Sequence, residues 1–190
     1  KTPAAPGLRN KLALRRELRP LMRKVASRTQ QILDEEKTVN QFAENRILIP
    51  QFKPAPERWL DLALVVEKSA SIIIWQEIIG EFQQLNELSG AFRSVSTWNL
   101  QTNEKNEIKL FAQQNKSLGK QRSRSHKELL DSAGRRLILF VSDCTSPIWY
   151  RNQNQNQNHN IYNILKQWSN SSPLAIVQLF PEKLWTRTAM

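Results

Sequence analysis

The sequence is poor in the residues that build disulfides, metal centres and phosphate-binding loops. It has one cysteine, Cys144, so an intramolecular disulfide and a zinc site made of several thiolates are excluded, and we expect a reducing cytoplasm. Its two histidines do not stand at metal-ligand spacing, which leaves no zinc motif. None of its five glycines opens a helix after a strand in a Walker or dinucleotide pattern, which argues against a nucleotide-binding enzyme.

Long apolar stretches are also missing. The longest uninterrupted runs, Leu62–Val66 and Leu137–Val141, have five residues each, whereas a helix that crosses a bilayer needs about 20. No apolar segment of the signal-peptide type follows Lys1. We therefore expect no membrane span and no membrane partner. Because the chain starts at this lysine and stops just after an apolar segment, we also expect a piece of a larger multidomain protein.

Positive charge is abundant and unevenly placed. The net charge is +11 at pH 7, and residues 1–30 hold nine lysines and arginines against one acid. Such a cluster can bind phosphates or an acidic protein surface, and it is equally typical of a solvated helix face. No stacking aromatics and no known reading motif accompany these cations. The candidates for nucleic-acid binding are Arg15, Arg16, Arg19, Arg23, Lys24, Lys120, Arg122 and Arg124.

Residues 1–56 are predicted to form a basic helical appendage with a connector. Apolar spacing predicts three helices, over residues 8–18, 20–33 and 34–46; the second begins at Pro20, since proline is tolerated in a first helical turn. Pro54 and Pro56 indicate an extended connector. We therefore place the boundary with the main domain, residues 57–190, just after it.

The main domain is predicted to be α/β, with an open, mostly parallel sheet, one hairpin and flanking helices. Leu62–Val66 is typical of a strand covered on both faces, and the spacing of Ile74, Ile78, Phe82 and Leu85 predicts a helix seated on it. The remaining strands are predicted at 92–100, 107–111, 137–141 and 174–180. The alternating Asn/Gln tract 152–160 is predicted to be a solvated loop.

Polar turns follow two of the buried strands. Glu67, Ser69 and Ser71 follow the first, and Asp143 follows the strand at 137–141. Open α/β sheets bind ligands beyond the carboxyl ends of their strands, and Mg²⁺ takes carboxylate and hydroxyl oxygens. The structural alternative is that Ser69 or Ser71 caps the following helix while the acids are solvated or pair with Lys68.

Cys144 is a candidate nucleophile. With His126 or His159 it would form a nucleophile and a base. A thiol that follows a buried strand is more often a small packing group, and no third residue that would orient the base can be identified.

The order of these elements resembles the von Willebrand factor A fold. In that family a metal-ion-dependent adhesion site uses Asp-x-Ser-x-Ser after the first strand, a Thr from a middle loop and an Asp after the fourth strand. Glu67 stands where the family has Asp, and its extra methylene suits a near-octahedral Mg²⁺ site poorly; the middle-loop position has only Ser123 or Ser125. The resemblance implies a degenerate site in which a metal-free surface is favoured over Mg²⁺. The matching positions are Glu67, Ser69, Ser71 and Asp143.

Three segments look like a bacterial family of large multidomain proteins associated with von Willebrand A, MoxR-type ATPase and related conflict systems. They are Leu14–Leu21, Ala55–Val66 and Ala133–Cys144, and the resemblance spans residues 8–188. It implies a non-enzymatic interaction module of a larger bacterial defence or signalling protein, which docks a protein partner or another domain, with or without Mg²⁺. The alternative is nucleic-acid binding through the N-terminal helices and the 116–124 loop. The predicted docking rim consists of Glu67, Lys68, Ser69, Ser71 and Asp143.

Overall fold

The computed structural model describes residues 7–8, 10–102, 107–113, 122–150 and 161–189. The helices are α1 (Lys11–Glu17), α2 (Glu35–Asn45), α3 (Gln76–Leu88) and α4 (Ile161–Ser171). The strands are β1 (Lys24–Leu33), β2 (Phe52–Arg58), β3 (Asp61–Glu67), β4 (Val95–Thr102), β5 (Ile108–Ala112), β6 (Arg136–Ser142) and β7 (Leu174–Gln178). Short 3₁₀ turns cover Arg19–Leu21, Ser71–Trp75, His126–Leu129 and Glu182–Arg187. The tract 152–160 and Lys120 lie outside the described residues.

Strands β3 to β7 form one five-stranded sheet in the order β5-β4-β3-β6-β7. β3 runs parallel to both of its neighbours, β7 runs parallel to β6, and β5 alone is antiparallel, paired with β4. The predicted hairpin is therefore confirmed. All residues from Leu62 to Glu67 are buried, as expected for an unalternating apolar strand at the centre of a parallel sheet. The α/β class with a mostly parallel sheet is confirmed.

Helices cover both faces of this sheet. On one face α4 packs through Trp168 against Phe140, with ring centroids 6.4 Å apart. On the other face, Ile72 and Ile79 from the segment that includes α3 pack against Leu64. Since side chains alternate along a strand, the last residue of β3, Glu67, points to the α4 face.

The predicted helix over residues 20–33 is wrong. Lys24–Leu33 form β1, which pairs antiparallel with β2 in a separate two-stranded sheet. Three of the positions that suggested a helix are the β-branched residues Val25, Thr29 and Ile32, which suit an extended chain better than a helix. The predicted basic helical appendage is therefore part helix and part strand.

The proline-containing connector is β2. A two-stranded sheet leaves one edge of each strand unpaired, so prolines 54 and 56 are tolerated there. β2 runs across the predicted boundary between residues 56 and 57. The segment that precedes β1 also contacts the main domain, because three of its apolar side chains pack against the cluster around Leu60 and Leu62. These side chains are Leu18, Leu21 and Met22.

The helix that follows β3 begins later than its apolar spacing predicts. Ile74 lies in the 3₁₀ turn Ser71–Trp75 and is 81% exposed, while Ile72 is buried in the core. Ile74 faces solvent because four apolar residues in a row, from Ile72 to Trp75, cannot all lie on one side of a helical turn.

Candidate functional site

The carboxyl ends of β3 and β6 lie side by side. The two strands are parallel neighbours, and Val66 is paired with Val141. The chain passes from β3 to β4 on one side and later returns to β6 on the other, so the strand order reverses here. Such a switch point is where open α/β sheets bind ligands. The two polar turns therefore share one edge, as the sequence predicts.

Glu67 links the two turns through a buried hydrogen-bond network. The residue is 2% exposed, and its carboxylate accepts hydrogen bonds from the hydroxyls of Ser142 and Ser146 and, at 3.1 Å, from Nε1 of Trp149. All three donors come from the end of β6 and the turn that follows it. Glu67 is thus neither solvated nor paired with Lys68, the two roles considered for it as a structural residue.

The turn after β6 is held by its own polar groups. Ser142 Oγ accepts a hydrogen bond from the backbone N–H of Cys144 at 2.8 Å, and Cys144 has a left-handed backbone with φ of 55°. Asp143 Oδ1 accepts from the N–H of Thr145 at 3.1 Å and from its hydroxyl at 2.9 Å. Asp143 is completely buried, and its Oδ2 has no hydrogen-bond partner among the described residues.

Glu67 is a predicted Mg²⁺ ligand that is already committed to the protein, because both of its oxygens accept hydrogen bonds from protein donors. The hydroxyls of Ser69 and Ser71 are 2.9 Å apart and bond each other, a separation that two adjacent ligands of an octahedral ion can also have. Among the two carboxylates, Oδ2 of Asp143 is the oxygen that has no partner among the described residues, so they offer Mg²⁺ little beyond that atom. In the described part of the chain, no group of three or more His, Cys, Asp or Glu side chains could hold a metal.

The serines have local roles. Neither Ser69 nor Ser71 caps the 3₁₀ turn or α3 by a side-chain hydrogen bond, so the capping alternative is wrong. Ser125, a candidate for the middle-loop position, accepts a hydrogen bond from the N–H of Lys127 at 3.3 Å and caps a 3₁₀ turn instead. Ser123 is exposed.

Comparison with family models, curated proteins and solved structures finds no match. The resemblance to the von Willebrand A family therefore depends on the order of elements and on the turn residues, and it stays a prediction. No described helix is both long and apolar enough to cross a membrane.

Cys144 is a packing group. It is completely buried in the core between the sheet and α4, and this burial raises the pKa of its thiol to about 11. A nucleophilic cysteine needs the opposite, a lowered pKa and access to solvent. Of its two candidate partners, His126 shares a hydrogen bond of 3.0 Å between Nε2 and Oε1 of Gln167, and His159 lies outside the described residues.

The exposed side chains at and next to the rim are apolar or cationic. Ile73 and Ile74 are 64% and 81% exposed, immediately after the serine turn, and Lys68 is exposed before it. Tyr150, 58% exposed, stands next to Trp149 on the facing turn. The spacing of Ile74 with Ile78 predicts a core position for Ile74, although the unbroken apolar run already indicates that part of it must face solvent.

A polar groove of about 240 Å³ lies beside the rim, between α3 and β4. Its wall stays open at Gly80, where nothing lies within 4 Å of the position a Cβ would take. The polar side chains that line this groove are one cation and four amides. They are Lys68, Gln76, Gln83, Asn99 and Gln113.

Most of the basic residues predicted to bind nucleic acid are free on the surface. Six of them are exposed and make no ion pair with a described residue. Arg124 differs, because it pairs with Glu128 at 3.0 Å. The six are Arg15, Arg16, Arg19, Arg23, Lys24 and Arg122.

Proposed function

We propose that the chain is a non-enzymatic interaction module of the von Willebrand A type, within a larger cytoplasmic bacterial defence or signalling protein. It docks a protein partner, or another domain of the same protein, at the rim above β3 and β6. The observation that carries this proposal is the exposure of Ile73 and Ile74 on a turn adjoining the Glu67 network. A preorganised apolar surface loses little conformational entropy when a partner binds.

The predicted rim residues then divide into supporting and contacting groups. Glu67 and Asp143 are buried and hold the turns in place, while Ser69 and Ser71 brace each other. Lys68 is exposed and offers a cation beside the apolar side chains. The surface therefore suits a partner that presents an acidic group next to an apolar one, and because the Glu67 carboxylate is committed to protein donors we propose that the contact forms without Mg²⁺.

Site-specific photo-crosslinking tests the rim. A photoreactive residue replaces Ile74 in the full-length protein, which is irradiated in the cells that produce it. We expect a discrete protein adduct, or an internal crosslink to another domain, which Lys68→Glu weakens because the charge that faces the partner's acid is reversed.

The matched control is the same photoreactive residue at Leu88, which is 70% exposed at the far end of α3. Equal adducts at both positions, or an adduct at position 74 that Lys68→Glu leaves unchanged, would contradict docking at the rim. The adduct should also form equally in cell extracts with Mg²⁺ and with a chelator. Loss of the adduct in the chelator would show that a metal takes part.

A second function, nucleic-acid binding, is supported by the exposed and unpaired arginines of the N-terminal segment. Several cations that neutralise phosphates give an affinity that falls steeply with salt. Fluorescence anisotropy with duplex and single-stranded oligonucleotides at two salt concentrations measures this. No binding near physiological salt, or equal binding by a variant in which Arg15, Arg16, Arg19 and Arg23 are changed to Gln, would exclude this site.

A further inference from the structure

The unit formed by β1, α2 and β2 exposes an apolar surface. Eight of its large apolar side chains are between 42% and 68% exposed, and none belongs to a buried cluster. An isolated two-stranded sheet is marginally stable in water, and a concentration of exposed apolar side chains in one unit indicates an interaction site. The eight are Ile32, Leu33, Val39, Phe42, Ile47, Leu48, Ile49 and Phe52.

Helix α2 presents an ordered part of this surface. Glu35, Val39 and Phe42 follow one another at spacings of four and three residues, which places them along one side of the helix. Arg46 follows four residues after Phe42, as the C-cap of α2 with a left-handed backbone. All four are exposed. Thr38, one turn before Phe42, marks the edge of this side of α2. It is buried against the chain just before β2, where its hydroxyl accepts a hydrogen bond from the N–H of Gln51 at 2.9 Å.

The exposed side of one α2 helix is complementary to the same side of a second, antiparallel α2 helix. When two α2 helices lie antiparallel about the midpoint between Val39 and Phe42, Val39 of each copy lies opposite Phe42 of the other. The same register places Glu35 opposite Arg46 at both ends, and neither residue makes an ion pair with a described residue of its own chain. The helix macrodipoles are also antiparallel, which is favourable.

We propose that this chain forms a twofold-symmetric dimer through antiparallel packing of its α2 helices. Such an interface is isologous, with the same patch used by both copies. Apolar contact between Val39 and Phe42 forms its centre, and the pairs of Glu35 with Arg46 fix its register. The neighbouring side chains of the two β1–β2 sheets extend the contact.

Charge favours a second copy as the occupant. Residues 32–53 hold four acids and three bases, close to neutrality in a chain of net charge +11, so two copies can meet here with little repulsion. The same balance makes this surface unsuited to nucleic acid.

Analytical ultracentrifugation of the 190-residue chain tests the dimer through charge reversal. At about 100 μM the wild-type chain should sediment at twice its monomer mass. Glu35→Arg and Arg46→Glu should each weaken association about tenfold or more, because each places like charges at both ends of the interface. An equimolar mixture of the two variants should dimerise again. In the mixed dimer the introduced arginine of one variant faces the introduced glutamate of the other, and the retained Arg46 faces the retained Glu35.

Two controls separate this register from a general effect of charge. Glu44→Arg and Lys37→Glu make the same charge changes on the opposite side of α2, in the polar groove there, and should leave association unchanged. Far-UV circular dichroism checks that every variant is folded. A monomeric wild-type chain, single variants that associate as the wild type does, or a mixture that fails to restore the dimer would each overturn the proposal.

Discussion

Removing the carboxylate of Glu67 should destabilise the whole sheet, although no partner or metal is involved. Glu67→Ala takes the acceptor away from Trp149 and Ser142, both buried, and from the half-buried Ser146. The Ser146 hydroxyl can turn toward water. The other two donors stay inside the protein, where losing a partner costs about 1–3 kcal/mol each.

The expected loss for Glu67→Ala is about 3–5 kcal/mol once the space left by the side chain is included. That is a large share of the roughly 5–15 kcal/mol by which a domain is typically stable. Glu67→Gln keeps the shape and one acceptor oxygen but loses the charge that strengthens the bonds, so it should cost about 1–2 kcal/mol. Trp149→Phe, which removes one donor, should cost about the same.

Urea unfolding followed by far-UV circular dichroism measures these differences. With a slope of about 2 kcal/mol per molar urea, Glu67→Ala should lower the midpoint by about 1.5–2.5 M. The matched control is Glu87→Ala, which removes an exposed carboxylate that accepts one hydrogen bond, from Gln83, and should change stability by less than about 0.5 kcal/mol. Equal midpoints for Glu67→Ala and Glu87→Ala would refute the idea that this network holds the turns.

Three further predictions concern other parts of the molecule. Gly80→Ala should raise the free energy of unfolding, measured by urea unfolding, by about 0.5–1 kcal/mol, because a Cβ there meets nothing within 4 Å and alanine favours the helix. A variant less stable than the wild type would contradict the open groove wall. Cys144 should react with a thiol reagent orders of magnitude more slowly in the native protein than in urea, because burial raises its pKa to about 11; a rapid native reaction would contradict its burial. Burial alone would raise the pKa of Asp61, but hydrogen bonds from Arg93 and Ser94 and the charge of Arg93 lower it in the folded protein. The ionised Asp61 therefore stabilises the fold above about pH 4, and this stabilisation is lost as the pH falls through the folded-state pKa. The urea midpoints of the wild type and Asp61→Asn should therefore converge below about pH 4, and a difference that stays constant would contradict this coupling.

The central sheet could be predicted because its signals are local. Leu62–Val66 and Leu137–Val141 are continuous apolar runs, and such runs in a chain with intervening helices predict parallel strands buried on both faces. Parallel pairing then places the turns after both runs at one edge. The position of the candidate site therefore followed from residues that are adjacent in sequence.

The two-stranded sheet could not be predicted in this way. The apolar residues of β1 fit a helical spacing as well as a strand, and what decides between them is pairing with β2, which lies beyond α2 in the chain. Prolines 54 and 56 also argued against a strand, although an edge position accommodates them. Tertiary pairing overrode both local signals.

The buried hydrogen bonds of Glu67 involve residues that are even farther apart in sequence. Its partner Trp149 is 82 positions away in sequence, so no spacing rule connects the two residues. One local signal did exist. Alternation along β3 assigns Ala63, Val65 and Glu67 to one face, and the first two are core positions, so a carboxylate at the third position has to find donors inside the protein.

The extra methylene of Glu67 connects these observations. A longer side chain at the end of β3 reaches across to the turn after β6, where Ser142, Ser146 and Trp149 supply donors. A carboxylate held in this way stabilises the edge of the sheet, and three of its roughly four acceptor sites are taken by protein donors. In the proposed function, the groups left for contact are the exposed isoleucines and Lys68, whose chemistry suits a protein surface.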